Sequence, residues 1–282
     1  MKEGILHSGI SHAINGKEKV KIMPIQLAVS DLDGTLLHDD KTLDTNILEV
    51  KEKLPFPFTV CSGRNVFAMQ AVLDQIKPGI PYIANNGASI FEDGKLIWKQ
   101  AIDHQDVLKA VEYLIENEVP FLAYEVNGVS YFGTNPKLEA FKNRLIGRCD
   151  VWPVEKDKLE EDQILKLAVI CPDQAKLEKA AEDIEKLCHN SVFVKSEDAV
   201  YSLSHQDATK GKAVEWVAQK LGIDPENVIV FGDNDNDISM FEAAGTAVAV
   251  ADALDDVKAH ADYVTLSNNQ DGVSDFLKQY VS

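Results

Sequence analysis

Four cysteines are too few and too scattered to build a framework. Cys61, Cys149, Cys171 and Cys188 form no CxxC pair. That excludes a dense disulfide scaffold or a zinc ribbon and fits a reducing cytosol. No apolar run approaches the roughly 18 residues of a membrane span. The first residues also lack the continuous apolar core of a signal peptide, so neither membrane insertion nor export is expected. Cations are in short supply too. Lys and Arg number 28 against 46 Asp and Glu, for a net charge of −18. Such a surface repels nucleic acid and anionic lipid at long range. It would repel a phosphate ester as well, so an anionic ligand would need a local cationic site. No GxxxxGK[ST] occurs, which excludes a Walker-type cradle. Internal repeats and low-complexity tracts are missing as well.

What is present is an ordinary globular composition, 45% hydrophobic and 26% charged over 282 residues, enough for one large or two modest domains. Residues 1–22 are polar and aperiodic and read as an extension outside the fold. From Ile25, strand and helix signals alternate: IQLAVS, then TNILEVKEKL, FTVC, NVFAMQAVLDQI and PYIAN. Alternation resumes near the C-terminus with KGKAVEWVAQKLGI, where Ala213, Val214, Val217 and Leu221 share a helical face and Gly222 and Pro225 mark the stop. NVIVFG, DISMFEAAG, TAVAV, ALDDVKAHA, YVTL and GVSDFLKQYV follow. This pattern predicts an α/β domain with a parallel sheet covered by helices. The middle differs. PFLAYEV and VSYFG flank Asn127-Gly128, a hairpin signal. ILKLAVIC, SVFVK and AVYSLS read as further strands, and Asp173 to Cys188 as an amphipathic helix covering their sheet. An α+β insert therefore splits the parallel-sheet domain.

Four short segments stand at the ends of predicted strands, where sites form in doubly wound sheets. The first is Asp31-Leu32-Asp33-Gly34-Thr35. Two aspartates one residue apart raise each other's pKa and destabilise the fold unless something compensates, although acids and Gly are also common in turns. The second is Ser62-Gly63-Arg64, a hydroxyl and free amides at a helix start, an anion cradle. The third is Lys210-Gly211. A lysine at a helix N-terminus opposes the dipole, which a local anion would explain; a solvated surface lysine is the alternative. The fourth is Gly232-Asp233-Asn234-Asp235-Asn236-Asp237. Its alternating carboxylates point to a divalent cation. They imitate a calcium EF-hand loop, but that loop needs Gly sixth and Glu twelfth. Ile238 and Ala244 stand there instead.

In this order the segments resemble the haloacid dehalogenase superfamily of phosphotransferases. Asn86-Gly87-Ala88 and the place of the insert resemble its Cof-type phosphatase subfamily. The resemblance covers Ile25 to about Ile90 and Leu203 onward. It implies a doubly wound, mainly parallel Rossmann-like core, residues 23–90 and 203–282, with an inserted α+β type-two cap domain, residues 91–202. It also implies a Mg²⁺-dependent phosphatase in the cytoplasm that acts on a small phosphorylated metabolite and not on nucleic acid or membranes. Asp31 would be the nucleophile and Asp33 the general acid and base. Magnesium would be held by the Asp31 and Asp233 carboxylates and the Asp33 carbonyl. The Leu32 amide, Ser62, the Gly63 amide, Lys210 and Asn236 would meet the phosphoryl group, and Thr35 would shape the loop. Asp237 would act from behind, on Lys210 or a metal-bound water. Arg64 would contact substrate or pair with an acid.

Other readings stay open at this level. A phosphomutase uses the same aspartyl-phosphate, and a phospho-acceptor signalling module also combines clustered acids, a hydroxyl and a lysine. Before Lys210, SHQDATKG carries His205 and Asp207 where the family has a more apolar or Gly-containing run. His205 reads as structural and Asp235 as a solvated loop residue. In the insert, Tyr124, Glu125, Tyr131, Trp98 and Trp152 read as packing or surface residues.

Overall fold

The strand Leu27–Ser30 is buried at every position. A run that is apolar on both faces is the mark of a parallel strand at the centre of a sheet. Burying Leu27 and Val29, both fully enclosed, contributes about 1.5–3 kcal/mol each. The computed structural model describes residues 12–13, 24–161 and 163–281. Apart from His12–Ala13, the extension 1–22 lies outside the described residues.

The described chain separates into two compact units, residues 1–60 with 218–282, and residues 61–217. Segments 61–90 and 203–217, which the sequence pattern groups with the parallel sheet, thus cluster with the second unit.

The first unit holds a six-stranded sheet. Its order is His12–Ala13, Tyr263–Val264, Thr246–Ala249, Val228–Gly232, Leu27–Ser30 and Phe58–Val60. Every pairing is parallel except that of His12–Ala13. Helices Asn46–Lys53, Ile238–Ala243, Asp255–His260 and Gly272–Leu277 connect or follow the strands. The decisive register sets Ser30 opposite Phe231, so the carboxyl ends of Leu27–Ser30 and Val228–Gly232 lie side by side. The segment after Leu37 is tied down by polar contacts. His38 Nε2 meets Asp271 Oδ1 at 2.8 Å, and Asn268 Nδ2 donates to the Leu37 carbonyl at 3.0 Å.

The second unit carries a six-stranded sheet in the order Ser191–Glu197, Val200–His205, Ile164–Ile170, Phe121–Glu125, Gly128–Phe132 and Asp150–Pro153. All its pairings are antiparallel except the last. The expected hairpin forms, with Val126 and Asn127 as its loop and Gly128 already in the strand. Alternate residues face opposite ways. Phe121, Ala123, Leu167 and Val169 pack with Leu177 and Ile184 of helix Gln174–Leu187 and with helix His104–Glu116. Leu122, Tyr124, Ala168 and Ile170 pack instead with Leu138 and Leu145 of helix Pro136–Leu145. Helices His104–Glu116 and Pro136–Leu145 and strand Asp150–Pro153 are additions to the sequence reading.

Two further differences concern alternating elements. Tyr82–Ala84, read as one more strand of the parallel pattern, pairs antiparallel with Ser89–Glu92, which pairs with Lys95–Lys99. Its parallel link is a single bridge, Cys61 to Ile83. Three residues ending in Asn85-Asn86-Gly87 are too short to extend a ladder before the chain turns back. In helix Lys210–Leu221 the buried stripe is Ala213, Val214, Val217 and Ala218. Leu221, expected on that face, is half-buried at the helix end. Among the described residues no helix is long and apolar enough to cross a membrane.

Asp106, 2% exposed, shows how the second unit secures a loop. Its carboxylate accepts from the amides of His189 and Asn190 and from the Ser191 hydroxyl. Burial pushes its pKa up, but the bonds from Asn190, Ser191 and His189 outweigh burial and hold it below the usual carboxylate range. Asp106→Ala removes the shared acceptor of three part-buried hydrogen bonds and is expected to cost about 2 kcal/mol in urea unfolding. A depressed folded-state pKa gives stability that is complete above the unfolded value of about 3.9 and lost as pH falls through the folded value. The gap between wild type and Asp106→Ala should therefore narrow below about pH 4; a gap independent of pH down to acid unfolding would contradict this assignment.

Candidate active site

Asp31 follows Ser30 directly, and its amide donates to the Phe231 carbonyl of the neighbouring strand at 2.9 Å. The parallel ladder thus continues one residue past the strand and fixes where the side chain leaves the backbone. Asp233 leaves the adjacent strand one residue past Gly232. One carboxylate oxygen from each of Asp31, Asp233 and Asp237 lies within 4.8 Å of the others. Asp31 and Asp237 are buried, and Asp233 is half-buried. Asp235, between them in sequence, is exposed.

Local geometry builds this cluster. Asp237 Oδ2 accepts from the amides of Asp233 and Asn234 at 2.9 and 3.1 Å, closing the loop on itself. The Leu32 carbonyl collects the amides of Thr35, Leu36 and Leu37, coiling the other loop. Thr35 Oγ1 then donates to Asp233 Oδ1 at 2.7 Å, a contact 198 residues apart in sequence. Gly34 has φ +83°, and a Cβ there would stand 2.4 Å from Asp233 Oδ2. Only glycine fits such a turn and such an approach.

Three carboxylates packed this closely repel one another unless a cation compensates. The donor set is all oxygen, and the Thr35 hydroxyl donates to Asp233 Oδ1. Such a set suits a hard divalent ion such as Mg²⁺ better than zinc. Asp31, Asp233 and Asp237 are the residues that could hold it. The sequence reading placed Asp237 behind the ligands; here its carboxylate belongs to the cluster as well as to the loop. Asn236, half-buried, sits on the same short turn. Asp33 Oδ1 pairs with Lys41 Nζ at 3.0 Å. Lys41 was not singled out in the sequence. It lies in the polar turn HDDKT, where its φ is +68° and its amide donates to the His38 carbonyl at 2.9 Å.

A second group forms within residues 61–217. Ser62 is 1% exposed, and its Oγ accepts from the Arg64 amide at 3.1 Å. The helix expected to open at Ser62 begins later, at Val66, because Asn65 caps it by accepting from the Ala68 amide at 2.9 Å. Asn86 donates its amide to the Ser62 carbonyl, and Asn85 to that of Arg64. Gly87 has φ +97°, and a Cβ would stand 2.1 Å from the Thr209 carbonyl. The Asn85–Gly87 turn therefore lies hard against the backbone that delivers Lys210. Lys210 is the first residue of its helix and is 1% exposed, which is not the setting of a solvated surface lysine.

The residues read as bystanders have defined partners. His205 is 7% exposed, and its Nδ1 accepts from the Asp207 amide at 3.0 Å; Asp207 pairs with Lys212. Burial raises the pKa of Glu125, and the Ser130 hydroxyl donates to it at 2.5 Å. Trp98 packs on Trp216, and Lys142 lies over the Tyr131 ring. Trp152 packs against the strand start at Gly128.

Comparison with known proteins agrees with this architecture. Over 281 residues the chain is 28% identical to the 5-amino-6-(5-phospho-D-ribitylamino)uracil phosphatase YwtE of Bacillus subtilis, covering 89% of this chain and 96% of that one. TM0651 of Thermotoga maritima superposes with a TM-score of 0.80 at 27% identity, covering 90% and 97% of the two chains. The subclass IIB sugar phosphatase BT4131 superposes with a TM-score of 0.77 at 24% identity, over 90% and 98%, and shows the same fold. The profile of the haloacid dehalogenase-like hydrolases matches residues 28–277, and the chain belongs to that family.

Proposed function

We propose that this chain is a Mg²⁺-dependent phosphatase of small phosphorylated metabolites that works through an aspartyl-phosphate on Asp31. The observation that carries the reading is the convergence of Asp31, Asp233 and Asp237 at the ends of adjacent parallel strands. When bound, the ion would neutralise phosphoryl charge and favour the carboxylate form of Asp31. Phosphoryl transfer asks mostly for positioning and charge compensation. Asp31 attacks phosphorus while the ester P–O bond breaks, and Asp33 gives its proton to the departing alcohol oxygen. Asp33 then takes a proton from water, whose oxygen attacks phosphorus; orthophosphate leaves and Asp31 is regenerated. In this scheme Asp33 exchanges Lys41 for the leaving oxygen.

Ser62, the Gly63 amide and Lys210 are proposed to hold phosphoryl oxygens, with the Leu32 amide and Asn236 assisting, Thr35 orienting Asp233, and Arg64 contacting substrate or pairing with an acid. The Asp33 carbonyl is a further proposed metal donor. Residues 91–202 are proposed as the inserted cap that selects the alcohol portion, a division supported by the self-contained sheet between Phe121 and His205. The names of the relatives support a sugar phosphate or a ribityl-type phosphate as the substrate class. Free cysteines, three of them buried, support a reducing cytosol.

A panel of phosphorylated metabolites assayed for orthophosphate with Mg²⁺ present tests the reading. Catalytic release is expected; a bisphosphate-dependent isomerisation with little release would mark a mutase, and a phospho-protein stable for hours a signalling module. Asp31→Asn is expected to lower turnover by about 10³-fold or more with an unchanged melting temperature; activity within tenfold of wild type would remove it as nucleophile. Asp33→Asn should slow hydrolysis by about 10²–10⁴-fold and let phospho-enzyme accumulate from an activated ester, visible by intact mass. Exhaustive chelation should silence the enzyme and Mg²⁺ should restore it, whereas full activity without metal would overturn the cation's role.

A further inference from the structure

Lys166 is a charged residue inside a strand, Ile164–Ile170, that is buried at every position. A buried ammonium is costly unless its protons are accepted. Its Nζ donates to the Gly63 carbonyl at 3.0 Å and lies 4.7 Å from the centroid of the Tyr124 ring. Burial alone lowers its pKa, to about 8, so the cationic form still predominates at neutral pH.

The strand is built to aim it there. Ile164 packs under helices His104–Glu116 and Gln174–Leu187. In an unbroken strand Lys166, two residues on, would share that core face. The pairing instead shifts between Ile164 and Lys166, with Ile164 opposite Glu125 and Lys166 opposite Tyr124. Leu165 is the extra residue and packs with Ala88 and Ala208. A bulge of this kind re-aims the side chain that follows it, and Lys166 is turned to the other face, onto Gly63.

The carbonyl it grips belongs to the Gly63–Arg64 peptide. The N–H of that same peptide donates to Ser62 Oγ. One peptide plane is thus held at both ends. A serine oxygen that accepts an amide proton still has its own O–H to donate, and pulling on the carbonyl strengthens the N–H as a donor.

We propose that Lys166 is a positioning residue for phosphoryl capture: by holding the Gly63 carbonyl it locks the Gly63–Arg64 peptide and so aims the Ser62 hydroxyl proton at a phosphoryl oxygen. This rests on the phosphatase reading, in which Ser62 meets the phosphoryl group.

The test is orthophosphate binding to the full chain with Mg²⁺, by calorimetry, for wild type, Lys166→Met, Ser62→Ala and the double variant. Each single change is expected to weaken binding about tenfold, and the double variant to bind within twofold of Ser62→Ala, because both remove the same donor. Lys166→Arg, which restores a donor, should recover most of the affinity. Binding unchanged in Lys166→Met, or losses that multiply in the double variant, would overturn the proposal and leave Lys166 a packing residue. If Lys166→Met does not fold by circular dichroism, Lys166→Gln, whose shorter side chain falls short of the carbonyl, takes its place in the same cycle with the same outcomes. Wild type that neither binds orthophosphate nor hydrolyses any ester would overturn the phosphatase reading itself; wild type that binds it with Lys166 variants unaffected overturns only this inference.

Discussion

The acidic cluster depends on one pairing, that of Leu27–Ser30 with Val228–Gly232 in parallel register. Parallel strands end on the same side, so the residue after each strand is delivered to a common edge. An antiparallel pairing of the same strands would send Asp31 and Asp233 to opposite ends of the sheet. The Asp31 amide extends the ladder by one hydrogen bond, and that bond sets the position of Asp31 more firmly than a loop could. The free energy that keeps three carboxylates together comes from the buried apolar strands beneath them, in keeping with the rule that strain at functional sites is offset by the scaffold.

The loops complete what the sheet begins. Thr35 and Gly34 close on Asp233, and Asp237 folds its own loop while contributing to the cluster. In the second unit a similar economy holds: the Asn85–Gly87 turn braces both the Ser62–Arg64 loop and the backbone before Lys210. Backbone carbonyls and amides carry most of these contacts. Substitutions at the bracing positions would therefore disturb the site without touching a catalytic group.

The inserted sheet has two covered faces, and one lysine interrupts its apolar pattern. That interruption is costly for folding and is tolerated because a bulge, a ring face and a carbonyl all receive it. A charge kept in a core at such expense is the kind of local inconsistency that marks a functional position.

Sequence alone determined the parallel sheet, the hairpin at Asn127-Gly128, the long helix after Asp173 and the two acidic segments that supply the carboxylate cluster. These are legible because period-2 and period-3.6 patterns, caps and short spaced motifs are local properties of the chain. Only tertiary structure decided that Tyr82–Ala84 turns back into an antiparallel sheet, that Asp237 joins Asp31 and Asp233, and that Lys41 meets Asp33. The same holds for Lys166. A lysine within ILKLAVIC was visible as an oddity, but its direction depends on a one-residue register shift against another strand. Partners distant in sequence and bulges in a ladder leave no periodic trace, because they arise from which strands pair and not from what any one segment prefers.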